Sequence, residues 1–333
     1  MPETKRSILQ RAGTFARFVR QQRAKLPQLK AEARDPDPGA PYLLTGGEKD
    51  WTATGFRVRR GERFKLVAGG HHWLAKGLGL MFEPDATLFV RIDGGPVRRI
   101  GDSEWIFEAW DDGELELLSK GLSEFANENG ALIPAKRPAM KPGISVRIER
   151  SDAPASGNGA PEGWNYLWRI GQAQIFTGSR DDVEVKLGGD VGILQFPVEQ
   201  PLTPESSLEW DWLIESLPSR LPEDLAFTHD YISIAVEFEN GRDLTYMWSA
   251  GLPEGHVFRC PLGWWCDWET HWVLRSGETG LGDWHSEKRM IAADYREALG
   301  EPLPERIVRV WLIANSVFQR NEARARFRNF RIE

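Results

Sequence analysis

The chain is poor in the groups that would assign it quickly. Only two of its 333 residues are cysteine, Cys260 and Cys266, and CPLGWWC is neither a CxxC pair nor a zinc spacing. Nothing matches a phosphate-binding Gly-Lys loop, a GxSxG elbow, an HExxH helix or a GxGxxG strand-turn-helix. No cofactor and no metal-ligand set is therefore expected from spacing. No apolar run approaches the roughly 18 residues of a membrane helix, so no transmembrane segment is expected. The basic start is not followed by an apolar stretch of about 7–15 residues, which argues against a secretory signal. The expectation is a cytoplasmic protein with two free thiols. Positive charge is scarce beyond the N-terminus. Residues 1–34 carry +7 and the remainder −14, giving −7 overall, and an acidic body argues against nucleic acid as a partner.

What the chain has in abundance is tryptophan, 15 residues of it. Trp264, Trp265, Trp268 and Trp272 crowd into RCPLGWWCDWETHWVL, residues 259–274. Indole is costly to leave wet, so these rings either pack inside or form a platform for a ligand. Our expectation is that some plug the end of a sandwich and one or two border a binding surface.

Periodicity divides the chain into four parts. Residues 1–40 form a basic helical arm, with Ile8, Ala12, Phe15, Val19 and Leu26 near one face; DPDPGAP ends it. That face suits docking on the protein itself or on a second copy, as a homo-oligomer contact; the alternative is contact with a membrane surface or a polyanion. Residues 41–150 alternate with period two: GFRVRRGERFKLVAGG reads as a strand pair turning at Arg60-Gly61, and TLFVRI, EWIFEAW and ELELL follow. SDAPASGNGAPEG, residues 151–163, reads as a linker. Residues 164–333 are again strand-rich, with one helix in SEKRMIAADYREALGEP for which Ser286 is the candidate N-cap. The expected fold is all-β: two antiparallel, jelly-roll-like sandwiches behind a basic N-terminal helix.

WTATGFRVRRGERFKLVAGG and GELELLSKGLSEFANENGAL resemble the PA-IL-like family of bacterial galactophilic lectins over roughly residues 45–150. The resemblance implies a galactose-binding-like sandwich. In that family loop Asp and Asn oxygens hold calcium, which bridges sugar hydroxyls. Asn127 and Glu128 stand at family Asn positions, but Ser119-Lys120 replaces the family's Asn-Asp. An ammonium there repels the ion. The resemblance thus implies the fold and a polar site at Asn127, Glu128 and Asn129, without calcium. In AGGHHW, adjacent His71 and His72 point to opposite faces of a strand and cannot share one metal. His71 with Trp73 is a candidate ligand contact.

HDYISIAVEFENGRDLTYMWS, residues 229–249, carries a hairpin signal at Asn240-Gly241. A two-residue loop would pair Phe238 with Asp243. It would leave Tyr231, Ser233, Ala235, Glu237, Leu244, Tyr246 and Trp248 on one face, as an aromatic and acidic trough. A loop of three or five residues would invert that parity. The trough suits a sugar, whose C–H face meets rings while its hydroxyls meet carboxylates. Candidate ligand-binding residues are Tyr231, Glu237, Trp248, Trp265 and Trp268. The leading expectation is carbohydrate or glycoconjugate binding without chemistry. The alternative is a lyase, isomerase or hydrolase in an interdomain cleft, with His229, Tyr246, His285 and Arg289 as acid–base and carboxylate-holding candidates. The blocks LEWDWLIESLP, HDYISIAVEF, LTYMWS, DWHSEKRMIAADYREALGE and VWLIANS also resemble an uncharacterised bacterial domain-of-unknown-function family. That resemblance implies no activity.

Overall fold

The computed structural model describes residues 6–46, 50–120, 129–132, 143–157, 159–170, 175–263 and 265–333. The fold is all-β behind an N-terminal helix, Ile8–Glu32, and its sheets are antiparallel except where Asp243–Ser249 runs parallel to Glu269–Ser276. The chain divides into two compact units. One comprises residues 21–158 and 170–173; the other comprises 1–20, 159–169 and 174–333. The helix contributes its residues through Arg20 to the second, C-terminal unit and the rest to the first.

Its buried stripe differs from the one that apolar spacing predicts. Thr14, Phe18, Gln22 and Leu29 are buried, whereas Ile8 is 86% exposed, Leu9 84% and Phe15 42%. Phe18 stacks on Phe227 with centroids 5.9 Å apart, and Arg6 pairs with Asp224. Phe18 and the polar ties around it therefore set the helix's rotation, with Phe15 at the rim of the same contact, 6.0 Å from Phe227.

The N-terminal unit is a sandwich of two four-stranded sheets. One orders Tyr42–Leu44, Ile144–Arg150, Arg63–Gly70 and Glu104–Glu108; the other orders Thr52–Val58, Gly113–Ser119, Leu88–Ile92 and Arg98–Arg99. Alternation in RFKLVAGG buries Phe64, Leu66, Ala68 and Gly70, and Phe64 and Leu66 meet Val90, Leu115 and Leu117 across the core. The two strands flanking Arg60-Gly61 do not pair with each other. Thr52–Val58 pairs with Gly113–Ser119, and Arg63–Gly70 pairs with Ile144–Arg150. The turn carries the chain from one sheet to the other, a choice that period-two patterning leaves open.

The C-terminal unit stacks a seven-stranded sheet on a five-stranded one. The larger sheet orders Asn165–Ile170, Val191–Pro201, Arg306–Asn315, Tyr231–Phe238, Asp243–Ser249, Glu269–Ser276 and Val257–Arg259. The smaller orders Phe176–Ser179, Asp182–Gly188, Glu322–Ile332, Ser207–Ser216 and Trp284–Met290. Alternate residues of SLEWDWLIES send Trp210 and Trp212 inward. There Trp210 stacks on Tyr246 at 5.7 Å, and Trp212 meets Trp248 at 5.7 Å and Phe327 at 6.1 Å. Burying a large ring of this kind stabilises by roughly 1.5–3 kcal/mol.

SEKRM, expected to open a helix at Ser286, is instead an edge strand, because it pairs with Ser207–Leu213. The helix runs Ile291–Leu299 and closes at Gly300, whose φ of 66° lets its N–H reach the Arg296 carbonyl.

The hairpin register decides which rings are inside. Glu237 pairs with Asp243, Ile234 with Tyr246 and Ile232 with Trp248, and the Phe238 N–H donates to the Arg242 carbonyl. The turn therefore spans three residues, 239–241, and the parity is inverted relative to a two-residue loop. Gly241 sits at φ 76°, and a Cβ there would lie 2.9 Å from the Trp268 ring. Gly241→Ala is expected to lose about 1–3 kcal/mol of stability in a urea titration and to shift the fluorescence of Trp268.

Candidate functional site

The inverted parity seals the expected trough. Tyr246 and Trp248 lie in the core at 0% and 1% exposure, beside Ile232, Ile234 and Val236. The proposed ligand contact at Trp248 is thus corrected: its ring is covered by Trp212, and its indole N–H donates to the Gly277 carbonyl at 2.9 Å. Leu244, expected on the trough, is also core.

The four acid–base candidates are not brought together either. The Tyr246 hydroxyl donates to Asp294 at 2.7 Å, and Arg289 holds the same carboxylate through two bonds of 2.7 Å. His285 shares a bond of 2.9 Å with the Gly280 carbonyl and edges against Trp248. These three residues serve the core side of the seven-stranded sheet. His229 belongs to its other side, with Tyr231 and His271, so no single substrate could touch all four.

That outer face carries Tyr231, Ser233, Ala235, Glu237, Asp243, Thr245, Met247, Glu269, His271, Arg309, Trp311 and Asn315. Strand alternation and pairing place them together. The face has two zones. Near the Asn240 turn, the Glu237 carboxylate accepts two bonds of 2.8 Å from Arg309 and one of 2.9 Å from the Trp311 indole. Trp265 packs edge-on against Trp311 at 6.3 Å. Trp268 closes the zone beside Gly241 and is 46% exposed. Gln195, paired with Trp311, adds a half-buried amide. Glu237, Trp265 and Trp268 were each expected at a ligand surface from sequence, and they do share this zone. Trp272 is core, and Trp264 lies outside the described residues.

The second zone lies beneath the segments 218–230 and 250–263. His229, Cys260, Glu269 and His271 each present one ligand atom, all within 4.8 Å of one another, and all four are buried. Tyr231, expected to touch a ligand, is 5% exposed and instead donates to Glu269 at 2.7 Å. Burial pushes the His229 imidazole down to about 3, reinforced by His271, so its ring is neutral. Burial raises the Tyr231 hydroxyl and the Cys260 thiol, and the nearby Glu269 charge adds to both. Burial and the nearby Glu269 charge likewise raise the Asp243 carboxyl above the usual carboxylate range. A transition metal would find nitrogen, sulfur and oxygen donors here. Sequence spacing missed the set because three separated segments supply it.

Glu223 fastens the covering loop. Its carboxylate accepts from the Ser249 hydroxyl at 2.5 Å and the Ala250 N–H at 2.7 Å, and burial lifts it to about 8.

In the N-terminal unit, His71 Nδ1 lies 2.8 Å from the Arg34 carbonyl, and its ring meets Trp73 edge-on at 4.8 Å. Asn127 and Glu128 lie outside the described residues; the Asn129 carbonyl accepts from Arg91 at 2.8 Å.

Fold and site together define an all-β protein of two sandwich units with a polar, partly covered sheet face. Residues 175–331 match the model of a family described as "Protein of unknown function (DUF3047)". No curated protein matches the sequence. Among solved structures, the chain is similar to the xyloglucanase domain of NopAA, a type three effector from Sinorhizobium fredii, in complex with cellobiose. That match has 8% identity and a TM-score of 0.35, covering 52% of this chain and 93% of the other. It is also similar to endoglucanase 3 of family GH12 from Trichoderma harzianum, with 8% identity, a TM-score of 0.31, and coverage of 53% and 92%. A third likeness is to the CBM22-1-CBM22-2 tandem domain of Paenibacillus barcinonensis Xyn10C. There the identity is 10% and the TM-score 0.24, covering 90% of this chain and 98% of the other.

Tyr246→Phe is expected to cost about 1 kcal/mol in chemical denaturation through the lost bond to Asp294. It should leave binding on the outer face unchanged. Glu223 predicts a pH dependence. Its folded form binds a proton more tightly than the unfolded one, so its contribution to stability falls as pH rises from about 4.5 to about 8. Glu223→Gln should flatten the decline in melting temperature across that window.

Proposed function

We propose that the C-terminal unit binds a saccharide on the Asn240 end of its seven-stranded sheet. The observation that carries this reading is the joining of exposed indole to a fixed carboxylate. Trp268 and Trp265 present ring surface, while Glu237, Arg309 and Gln195 stand beside them on the same face. Sugars offer an apolar C–H face and a rim of hydroxyls. A ring surface meets the first, and the carboxylate, guanidinium and amide meet the second. Glu237 is preorganised by three donated bonds, so little ordering is needed when a hydroxyl arrives. The opposite face of the same sheet offers no such surface, because its rings are packed between the sheets.

The reading is binding without chemistry. Calorimetry against a panel of neutral oligosaccharides should find a ligand whose affinity drops about tenfold or more in Trp268→Ala, equivalent to about 1.4 kcal/mol. Glu237→Gln should weaken the same ligand. Failure of every saccharide to bind the wild-type chain would end the reading. Cleavage of the bound sugar would replace it with the enzymatic alternative.

A further inference from the structure

Hydrogen bonds hold only part of the cluster beneath the covering loops. His271 is fully buried, yet neither ring nitrogen has a hydrogen-bond partner. Its Nε2 lies 3.4 Å from Glu269 Oε2. Cys260 Sγ lies 3.4 Å from His229 Nε2. Burying an imidazole without a well-formed hydrogen bond costs about 1–3 kcal/mol, which a fold does not keep without return.

We propose that His229, Cys260, Glu269 and His271 hold a structural zinc ion. The geometry fits first. Zinc bonds of about 2.0–2.3 Å in a tetrahedron put neighbouring ligand atoms roughly 3.3–3.8 Å apart. The Cys260–His229 and His271–Glu269 separations, 3.4 Å each, fall in that range, and all four ligand atoms lie within 4.8 Å of one another. The surrounding bonds fit as well. His229 Nδ1 donates to the Glu223 carbonyl at 2.7 Å, which leaves Nε2 as a bare lone pair turned toward Cys260. The Asn315 amide donates to the His229 carbonyl at 2.7 Å and steadies its backbone. Tyr231 donates to Glu269 Oε1, so Oε2 is the oxygen left facing His271. Outer bonds that fix a tautomer and a carboxylate orientation are the support that metal ligands need.

Charge supplies the third argument. One thiolate, one carboxylate and two neutral imidazoles sum to −2, and a divalent ion brings the buried cluster to neutrality. Thiolate and imidazole favour zinc over calcium or magnesium, which take oxygen ligands. Four buried protein ligands leave no open coordination position, so the ion is structural and not a catalyst. It joins the Glu269–Ser276 strand to both covering segments, His229 on one and Cys260 on the other. The proposal does not depend on the saccharide reading, whose residues lie in the other zone.

The test is elemental analysis of the full chain, expressed with zinc and freed of loose metal by gel filtration. Wild type should carry about one zinc per chain. Cys260→Ala and His271→Ala should each lose it by more than about tenfold, while Cys266→Ala, which changes the neighbouring thiol, should keep it. Because the two ligand variants could misfold, wild type is also read directly. Cobalt loaded after chelation should give a thiolate charge-transfer band. The melting temperature should fall on chelation and return with zinc. The proposal is overturned by wild type that carries no zinc and whose melting temperature ignores both chelator and added zinc. It is equally overturned by a Cys266→Ala chain that loses zinc as completely as Cys260→Ala, or by stoichiometric binding of another metal in zinc's place.

Discussion

The three-residue turn at 239–241 governs most of what this sheet can do. Gly241 admits the positive φ that the turn needs, and the absence of a Cβ there lets Trp268 lie against it. One residue more or less would exchange the two faces of Asp243–Ser249. With the turn as it stands, Tyr246 and Trp248 meet Trp210 and Trp212 between the sheets. The same parity sends Asp243 and Thr245 outward, next to Glu237 and the Glu269–His271 pair. Core packing and outer chemistry are thus two consequences of one backbone geometry.

The outer face is unusual in how much polarity it buries. Asp243, Glu269, His271 and Ser233 all sit below the surface on one side of the sheet. Polar groups of this kind cost stability unless each finds a partner. Much of the cover is arranged to supply partners: Glu223 binds Ser249 and Ala250, and Asp230 accepts from the Phe318 and Gln319 N–H groups. The loops are therefore held by specific bonds rather than by apolar contact alone. A zinc ion would complete that arrangement where hydrogen bonds run out, at His271.

Several features are legible in the sequence. Period-two alternation located the strands of both sandwiches, and Gly300 marked the end of the helix Ile291–Leu299. Glu237, Trp265 and Trp268, each named from the sequence as a candidate contact, lie near one another at the Asn240 end of the sheet, although Glu237 was expected to share its face with Tyr246 and Trp248. Other features were not legible. SEKRM has good helix formers, yet pairing with Ser207–Leu213 makes it a strand, since tertiary hydrogen bonds outweigh small propensity differences. Ile8, Ala12 and Phe15 look like a docking face, but Ile8 and Ala12 stay exposed while Phe15 and Phe18 pack on Phe227. Tyr246 and Arg289 read as acid–base candidates because a phenol and a guanidinium are chemically versatile. In the fold both are spent on Asp294.

By itself the sequence determined the strands, the class of fold and the richness in indole, since alternation and composition are local properties that one residue's neighbours reveal. Tertiary structure alone decided which rings are inside, which carboxylates share a face, and that His229, Cys260, Glu269 and His271 converge. The physical reason is that a side chain's face follows from the register of paired strands, and register depends on a turn length and on distant partners that no short window of sequence contains.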